Sequence, residues 1–510
     1  MNARGTMHSW QRMGSRWLAG LIPLARPGVH PDDNKVSASL PIADAPLPSL
    51  LTLPVRQHIG EACEPIVTVG DRVLRGQKIA KSQGYISTPI HAPTSGRVVK
   101  IEENAIVHPS GIGMLSIFIE PDGEDRWLEP LPAMVDYEQR DPAEVREQIR
   151  RCGIAGLGGA LFPTFIKLVS DERSPIDTLI LNGVECEPWL TCDHRLMVED
   201  AERIVEGLKI LHYLVKARRT VIAIEDNKED AAEAMRAAVS DAGVCGVTIE
   251  VLPTLYPQGS EKQLVELITG REIPAGKLPV HIGALCENVA TTAAIADAVL
   301  AGRPLIDRIV TVSGDAMPQP ANLRVRIGTP IDHLLCQQGL DNLDGVEIIQ
   351  GGPMMGEKLH HFNAPITKGS NGILVMQRRD VGEESPCIRC GHCVQVCPVG
   401  LLPNALAAHC RNDRFAEAEE FELFDCIECG ACSFVCPAKI PLVHYFRYGK
   451  GQVAAIRRAN AFADLSRQRS EQRERRLQRE KEERAARRRA RSAAKPVAAQ
   501  STPSSGDGDR

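Results

Sequence analysis

The sequence predicts a multidomain chain of the α/β + β class: a β-rich module, a parallel α/β domain, a second β-rich unit, a helical cysteine-bearing domain and a basic tail. Three observations carry this. Hairpin signals concentrate between Glu64 and Ile101, apolar strands alternate with amphipathic helices between Asp177 and Leu252, and the run C-x2-C-x2-C-x3-C-P occurs twice, at 387–398 and 426–437. At 510 residues the chain exceeds what one core serves, so three or four domains are expected. A hydrophobic content of 43% with 25% charged residues fits a soluble globular protein, and only 4% aromatics implies aliphatic cores. No apolar run reaches the length of a membrane-crossing helix.

Charge is uneven. Residues 456–495 hold 15 Lys/Arg and 6 Asp/Glu, a local +9, which leaves the rest of the chain at −14. Near the start, WLAGLIPLA (Trp17–Ala25) follows Arg12 and Arg16 and mimics a signal peptide. No small-residue cleavage site follows and the cysteine usage argues against export, so a segment that packs on a partner or on the body is expected.

The first module occupies 1–130. Its Glu64–Ile101 segment contains GD-x-V-x-x-GQ and APTSG-x-V, paired hairpin signals with glycine at each turn. It resembles a biotinyl/lipoyl-like barrel-sandwich hybrid. A carrier domain of that type presents a lysine on an exposed hairpin; the stretch SQGYISTP has none, so a scaffold is expected.

The α/β domain spans 135–300. CGIAGLGGALFPTFIKL (Cys152–Leu168) is a glycine-rich loop opening onto a helical segment, a form in which backbone N–H groups approach a phosphate. Glycine spacing alone also fits a tight structural turn. A strand at Asp177–Leu181 then delivers Asn182, Glu185 and Glu187 at its C-terminal end, where open α/β sheets hold ligands. A solvated loop is the other reading of that acid pair. Helices at 200–216 and 229–242 alternate with strands at 220–224 and 248–252, the pattern of a parallel sheet. Next, RIVTVSG, LRVRIGTPIDHLL and GVEIIQGGPMMG read as short strands around one helix, a β-grasp unit at 305–362.

The domain at 375–450 carries the chemistry most directly. Three closely spaced thiols followed by a fourth and a proline is the bacterial ferredoxin run, in which the fourth cysteine reaches the other cluster. Cys387, Cys390, Cys393 and Cys436 are therefore assigned to one 4Fe–4S cluster, and Cys426, Cys429, Cys432 and Cys397 to the second. The repeats enclose two short helical bodies, 404–411 and 414–421, so a helical ferredoxin domain is expected. Two adjacent clusters form an electron wire and need a source upstream.

The motifs together carry a family resemblance. CGIAGLGGALFPTFIKL is similar to the flavin loop of the complex I flavoprotein subunit, and NGVECEP to its acidic loop. With the ferredoxin repeats, the chain from GVHPDDNK at Gly28 to about Tyr448 closely resembles the C subunit of the Rnf/Rsx ion-translocating electron transport complexes. The resemblance implies an FMN reduced by NADH. Gly156, Gly158, Gly159 and Lys167 would hold the FMN phosphate and ring edge. Asn182 and Glu185 would sit against flavin or ribose, with Glu187 and Phe162 near the nicotinamide. YPQGSEKQL offers Glu261, and ENVATT offers Asn288 and Thr291. Leu161 stands where the family usually has glycine, and fills space the flavin or nicotinamide needs; Ser260 and Val184 are further departures.

The implied function is a peripheral subunit on the cytoplasmic side of the bacterial inner membrane. It would pass electrons from NADH through FMN and two 4Fe–4S clusters to the membrane subunits of the complex, coupled to ion transport with ferredoxin as redox partner. A soluble diaphorase and a flavin-free iron–sulfur adaptor are the alternatives. The tail, 451–510, keeps a helical stripe through Leu465, then turns polar all round, and ends in the disordered composition STPSSGDGDR. Contact with anionic lipid and an idle solubilising extension are both retained for it; no nucleic-acid partner is expected.

Overall fold

The computed structural model describes residues 27–108, 112–169, 175–380 and 382–493. The apolar Trp17–Ala25 segment, expected to pack on a partner or on the body, and the terminal STPSSGDGDR lie outside the described residues.

A leading strand, β1 (Ile42–Asp44), belongs to a sheet completed far downstream. The first module then forms two small antiparallel sheets. β2 (Leu51–Pro54), β4 (Arg72–Val73), β7 (Gly96–Ala105) and β8 (Gly113–Pro121) pair in the order β2-β8-β7-β4. β3 (Glu64–Pro65), β5 (Lys78–Lys81) and β6 (Ile90–His91) pair in the order β3-β5-β6. Alternate residues of these strands point inward, and Leu51, Leu53, Ile79, Ile90, Val98, Ile117 and Ile119 are buried as the core. The core is aliphatic, as the composition implies.

The second domain starts with helix α1 (Pro142–Arg151), capped by the Asp141 carboxylate on the Ala143 N–H and opened by proline at its first position. It ends directly at the glycine-rich loop, which is followed by the single turn α2 (Thr164–Lys167). The strands β9 (Thr178–Gly183), β10 (Arg219–Glu225), β11 (Val247–Leu252) and β12 (Ala284–Asn288) form an all-parallel sheet in the order β11-β10-β9-β12. Between them run α3 (Cys192–Glu199), α4 (Ala201–Val215), α5 (Glu229–Asp241) and α6 (Glu261–Thr269), with α7 (Val289–Leu300) after β12. Helices α4 and α7 cross at Gly207, whose Cα leaves no room for a Cβ against the Thr292 carbonyl. The chain steps outward from β9 to β10 and β11, then returns to the other side of β9 with β12. That reversal opens a crevice at the C-terminal ends of β9 and β12.

The third sheet is mixed, in the order β1-β14-β13-β17-β15-β16. Its strands are β13 (Asp307–Ser313), β14 (Ala321–Arg326), β15 (Val346–Gln350), β16 (Glu357–Lys358) and β17 (Gly372–Gln377), with α8 (Ile331–Gln337) packed on it. The segment 305–362 therefore does not close this sheet alone. β17 lies between β13 and β15, because its Ile373, Leu374 and Val375 are buried by the helix and the neighbouring strands, and β1 adds an edge.

Beyond β17 the cysteine-bearing domain has no strand among its described residues. The single-turn helices α9 (His392–Gln395) and α12 (Ala431–Phe434) lie within the two repeats, and α10 (Pro403–Arg411) and α11 (Phe415–Glu420) lie between them. The repeats share backbone geometry as well as sequence. Arg389, Gly391 and Gly400 in the first have φ of 55°, 82° and 67°; Glu428, Gly430 and Lys439 in the second have 58°, 80° and 55°. Helix α13 (Leu442–Ala493) buries Leu442, Val443, Phe446 and Val453 against this domain, then continues without a break across position 451 as an exposed rod. Its 52 residues span about 78 Å.

Candidate functional site

The crevice at the ends of β9 and β12 gathers most of the residues that the motifs single out. Asn182 and Asn288 are register partners on adjacent strands. The Asn288 side-chain oxygen caps α7 by accepting from the Ala290 and Thr291 N–H groups at 2.9 and 3.3 Å, and its amide donates to Asp193 at 2.6 Å. The glycine-rich loop lies over this corner. A Cβ on Gly158 would meet the Asn288 side chain at 3.1 Å, while Gly159, with φ of 103°, faces open space. Three long-range contacts hold the loop from behind. Thr291 Oγ1 accepts from the Leu157 N–H at 2.8 Å, the buried Arg308 donates to the Leu157 carbonyl at 3.3 Å, and Lys368 Nζ donates to the Gly153 carbonyl at 2.7 Å. Burial pulls the Lys368 ammonium down to about 8.

Leu161 adopts φ of 52°, a left-handed conformation that glycine takes more readily. Its side chain lies against Gly369, and its carbonyl accepts from Ile59 N–H at 3.0 Å. Phe162 is half-buried beside it, its carbonyl accepting from Gly156 N–H at 2.9 Å.

Lys167 projects from α2 into a pair of acids. Its ammonium donates to Glu261 at 2.8 Å and to the Cys286 carbonyl at 2.6 Å, and lies 3.3 Å from Glu287 Oε1. Burial drives the Glu287 carboxyl upward, and Lys167 opposes it. Glu287 Oε1 is held by this ion pair and accepts no well-aligned hydrogen bond among the described residues. Glu287 sits in the ENVATT motif, yet the resemblance singles out only Asn288 and Thr291 there.

The acidic loop divides its work. Glu185, at φ of 47°, turns its carboxylate onto the N-terminus of α3, accepting from Asp193 and His194 N–H at 2.8 and 3.2 Å. Burial and the Glu185 charge push the adjacent Asp193 carboxyl up to about 7. Glu187 accepts from the Met354 and Met355 N–H groups at 3.1 and 2.9 Å. Burial pushes it up to about 7, against those two amides and the Lys35 charge. Lys35, from GVHPDDNK, clamps the loop from outside by donating to the carbonyls of Glu185, Glu187 and Leu190 at 2.7–2.9 Å. Sequence reasoning misses Lys35 and Arg308 because neither lies in the glycine or acidic motif; each reaches it across more than a hundred residues.

The open glycine turn and the loop pinned from behind suit a bound phosphate-bearing, hydrogen-bonding cofactor such as FMN. The thiols suit iron–sulfur clusters. Among the described residues every cysteine is free of disulfide bonding. Cys387, Cys390, Cys393 and Cys436 line one small pocket with Gly391, Asn404 and Pro437. Cys426, Cys429, Cys432 and Cys397 lie within electrostatic reach of one another, and burial raises each of them. Backbone N–H groups already point at sulfur, from Leu401 to Cys397 at 3.3 Å and from Glu428 to Cys426 at 3.4 Å. The second set is also the one that meets the crevice. The Tyr256 hydroxyl donates to the Cys429 carbonyl, a Cβ on Gly430 would stand 2.6 Å from the Met354 carbonyl oxygen, and Val29, Tyr256, Cys429 and Ala431 form one apolar cluster. Cys387 and Cys390, in contrast, are exposed.

Comparison with known proteins gives this geometry a lineage. Residues 25–124 match the family described as the RnfC barrel sandwich hybrid domain, 149–297 the Nuo51 FMN-binding domain, and 386–441 the 4Fe-4S dicluster domain. The C subunit of the ion-translocating oxidoreductase complex of Serratia proteamaculans (strain 568) is 46% identical over 433 residues, which is 84% of this chain and 61% of that protein. Its counterpart from Pectobacterium carotovorum subsp. carotovorum (strain PC1) is 45% identical over 84% of this chain and 57% of its own length. The C subunit of the proton-translocating ferredoxin:NAD(+) oxidoreductase complex of Clostridium ljungdahlii is 46% identical over 84% of this chain and 93% of its own. The chain thus spans about three fifths of the first two relatives and nearly all of the third. On that identity and coverage, with three family matches in order, the chain belongs to the RnfC family, the C subunits of ion-translocating oxidoreductase complexes.

Proposed function

We propose that this chain is the electron-input subunit of a membrane-bound, ion-translocating NADH:ferredoxin-type oxidoreductase. FMN, when bound, accepts hydride from NADH and releases single electrons, which two 4Fe–4S clusters relay. The observation that carries the reading is the contact between Tyr256 at the crevice and Cys429 in the second thiol set. It supports an order in which electrons leave the crevice through the set Cys426, Cys429, Cys432 and Cys397. They then pass to the set Cys387, Cys390, Cys393 and Cys436, whose exposed thiols face a partner.

The residues of the crevice have separable parts in this reading. Gly158 and Gly159 offer backbone N–H groups to phosphate, Gly156 shapes the turn with its own N–H held by the Phe162 carbonyl, and Thr291 and Arg308 fix the direction of the loop. Lys167, ion-paired with Glu261 and Glu287, forms a polar wall suited to the flavin. Asn182 and Asn288 orient the corner, Glu185 holds α3 in place, and Glu187 with Phe162 lines the nicotinamide side. Because Leu161 packs on Gly369, its presence is compatible with a flavin, which favours this reading over a flavin-free adaptor.

The finer assignments follow the family. Limits of 1–130, 135–300, 305–362, 375–450 and 451–510, and a β-grasp (SLBB-like) third unit, remain part of the proposal. So does a peripheral position on the cytoplasmic side of the bacterial inner membrane, with ferredoxin and the membrane subunits as partners. Among the described residues no helix is long and apolar enough to cross a membrane. The test is anaerobic purification of the full chain with iron, sulfide and flavin content measured and NADH bleaching recorded. Flavin bleached by NADH, with iron for two clusters, supports the reading; iron near zero ends it.

A further inference from the structure

The two cations that pin the glycine-rich loop are buried without acids of their own. Arg308 is 4% exposed and Lys368 1%. Among the described residues neither forms an ion pair. The Arg308 guanidinium donates to the carbonyls of Leu157 at 3.3 Å, of Ile309 at 3.5 Å and of Lys368. The Lys368 ammonium donates to the carbonyls of Gly153 at 2.7 Å and of Pro89 at 3.1 Å. Asp193 is the carboxyl whose charge reaches Arg308, and it is engaged with the Asn288 amide at 2.6 Å. Carbonyl dipoles solvate a cation without cancelling its charge. Burying both cations therefore costs folding free energy, which an anion held at the loop would offset.

The backbone shows where such an anion would be held. The peptide between Leu157 and Gly158 is trans, so its carbonyl and its N–H point in opposite directions. Arg308 holds that carbonyl, and Thr291 Oγ1 holds the Leu157 N–H at 2.8 Å. The Gly158 N–H is thus turned away from Arg308, and among the described residues it has no acceptor. Gly158 and Gly159 are exposed, and a Cβ on Gly159 would meet nothing within 4 Å. Both cations come from the third sheet, Arg308 on β13 and Lys368 just ahead of β17, outside the residues 149–297 that match the flavin domain.

We propose that Arg308, supported by Lys368, is a positioning residue that makes the glycine-rich loop selective for a phosphate monoester, so that the site takes FMN and discriminates against the same flavin without its phosphate. The inference deepens the reading given under Proposed function and rests on it. Arg308 acts through the Leu157–Gly158 peptide and not by touching the ligand. It aims the Gly158 N–H outward, polarises that peptide and sets a positive charge behind the turn. Lys368 adds a second charge, and its carbonyl holds the guanidinium in place. A phosphate dianion at the turn balances these charges; the uncharged hydroxyl of an unphosphorylated flavin does not. Part of the cofactor specificity thus belongs to the third sheet.

The test is anaerobic equilibrium dialysis of FMN and of riboflavin against the full chain, clusters in place and flavin removed, for wild type, Arg308→Met and Lys368→Met. Wild type should bind FMN at least about thirtyfold more tightly than riboflavin. Arg308→Met should cut that preference about tenfold or more, by weakening FMN while riboflavin stays within about threefold of wild type. Lys368→Met should cut it about threefold or more. A wild type that binds the two flavins equally overturns the proposal. So does an Arg308→Met protein that loses affinity for both flavins alike, because the arginine would then only support the loop. If Arg308→Met fails to fold, as read by circular dichroism, Lys368→Met decides: a reduced preference sustains the proposal and an unchanged one removes it. Wild-type protein that binds neither flavin would instead remove the flavin site on which the inference rests.

Discussion

The side chain of Leu161 lies so close to the backbone of Gly369 that a Cβ there would stand 2.8 Å from Leu161 Cδ1. The two residues are far apart in sequence, on the glycine-rich loop and just ahead of β17. Their contact gives the leucine a place to go, although its backbone holds a conformation better suited to glycine.

Leu161→Gly is therefore expected to relieve backbone strain of about 1 kcal/mol without opening the flavin site. FMN affinity of the apo-chain, read by flavin fluorescence quenching, should stay within about threefold of wild type, a change below about 1 kcal/mol. A gain of tenfold or more would mean the leucine intrudes on the cofactor after all.

Gly430 and Gly391 occupy the same place in the two cysteine repeats, with φ of 80° and 82°. A Cβ at Gly430 meets the Met354 carbonyl at 2.6 Å, whereas Gly391 has nothing within 4 Å. Alanine at Gly430 should separate the second thiol set from the crevice and slow flavin-to-cluster electron transfer sharply in stopped-flow traces. Alanine at Gly391 should cost only backbone strain of about 1 kcal/mol and leave that rate nearly unchanged. Equal effects at both positions would contradict the docking role given to Gly430.

Lys167→Met leaves Glu287, only 2% exposed, without its counter-charge. Breaking such a buried pair from one side costs about 3 kcal/mol or more, so the thermal midpoint of the α/β domain should fall. Adding Glu287→Gln to Lys167→Met should restore part of the loss by removing the stranded charge. A double variant no better than the single would assign the damage to lost packing instead.

Glu187 carries a pH signature of its own. Its carboxyl is raised from 4.5 to about 7, so between those values the folded chain binds a proton that the unfolded chain has released. Its contribution to stability therefore declines as pH rises through that window. In Glu187→Gln this contribution is absent, and the difference in melting temperature between about pH 5 and about pH 7.5 should shift accordingly: the variant gains relative to wild type at the higher pH. Parallel pH profiles for the two proteins would argue that Glu187 is not perturbed.

Helix α13 is exposed from Ala455 onward, with Arg457 still reaching Glu419 and with Phe462 at 71% and Leu465 at 44% exposure. Residues 456–495 carry a net +9. If the rod meets anionic headgroups, full-length protein should sediment with phosphatidylserine vesicles in a salt-sensitive manner, and a chain ending at Leu465 should not. Equal sedimentation of the two would leave the rod as a solubilising extension.

Much of the architecture was legible because it is local. Thr178–Gly183, Arg219–Glu225 and Val247–Leu252 are strands within two residues of where apolar runs put them, and α10 and α11 fall between the cysteine repeats as their spacing suggested. The third sheet was less legible. β17 and β1 enter it from outside 305–362, and neither short strand announces its partner. The helical stripe fades after Leu465, yet α13 runs on, since an arginine- and glutamate-rich segment has high helix propensity without any face to bury. Lys35, Arg308 and Lys368 were illegible for a related reason: a lone basic residue in a sequence gives no sign that it is buried.

By itself the sequence determined which residue types stand at which spacing: two interlocked sets of four thiols, a glycine loop ahead of a strand, and acids at that strand's end. Covalent spacing and short-range periodicity are enough for that. Only the tertiary structure decided which thiol set faces the crevice, that Glu185 caps a helix while Glu187 faces the GGPMMG turn, and that Leu161 turns to Gly369. Those outcomes depend on packing between segments far apart in the chain, where close approach, burial and the direction of each hydrogen bond are set by the whole fold.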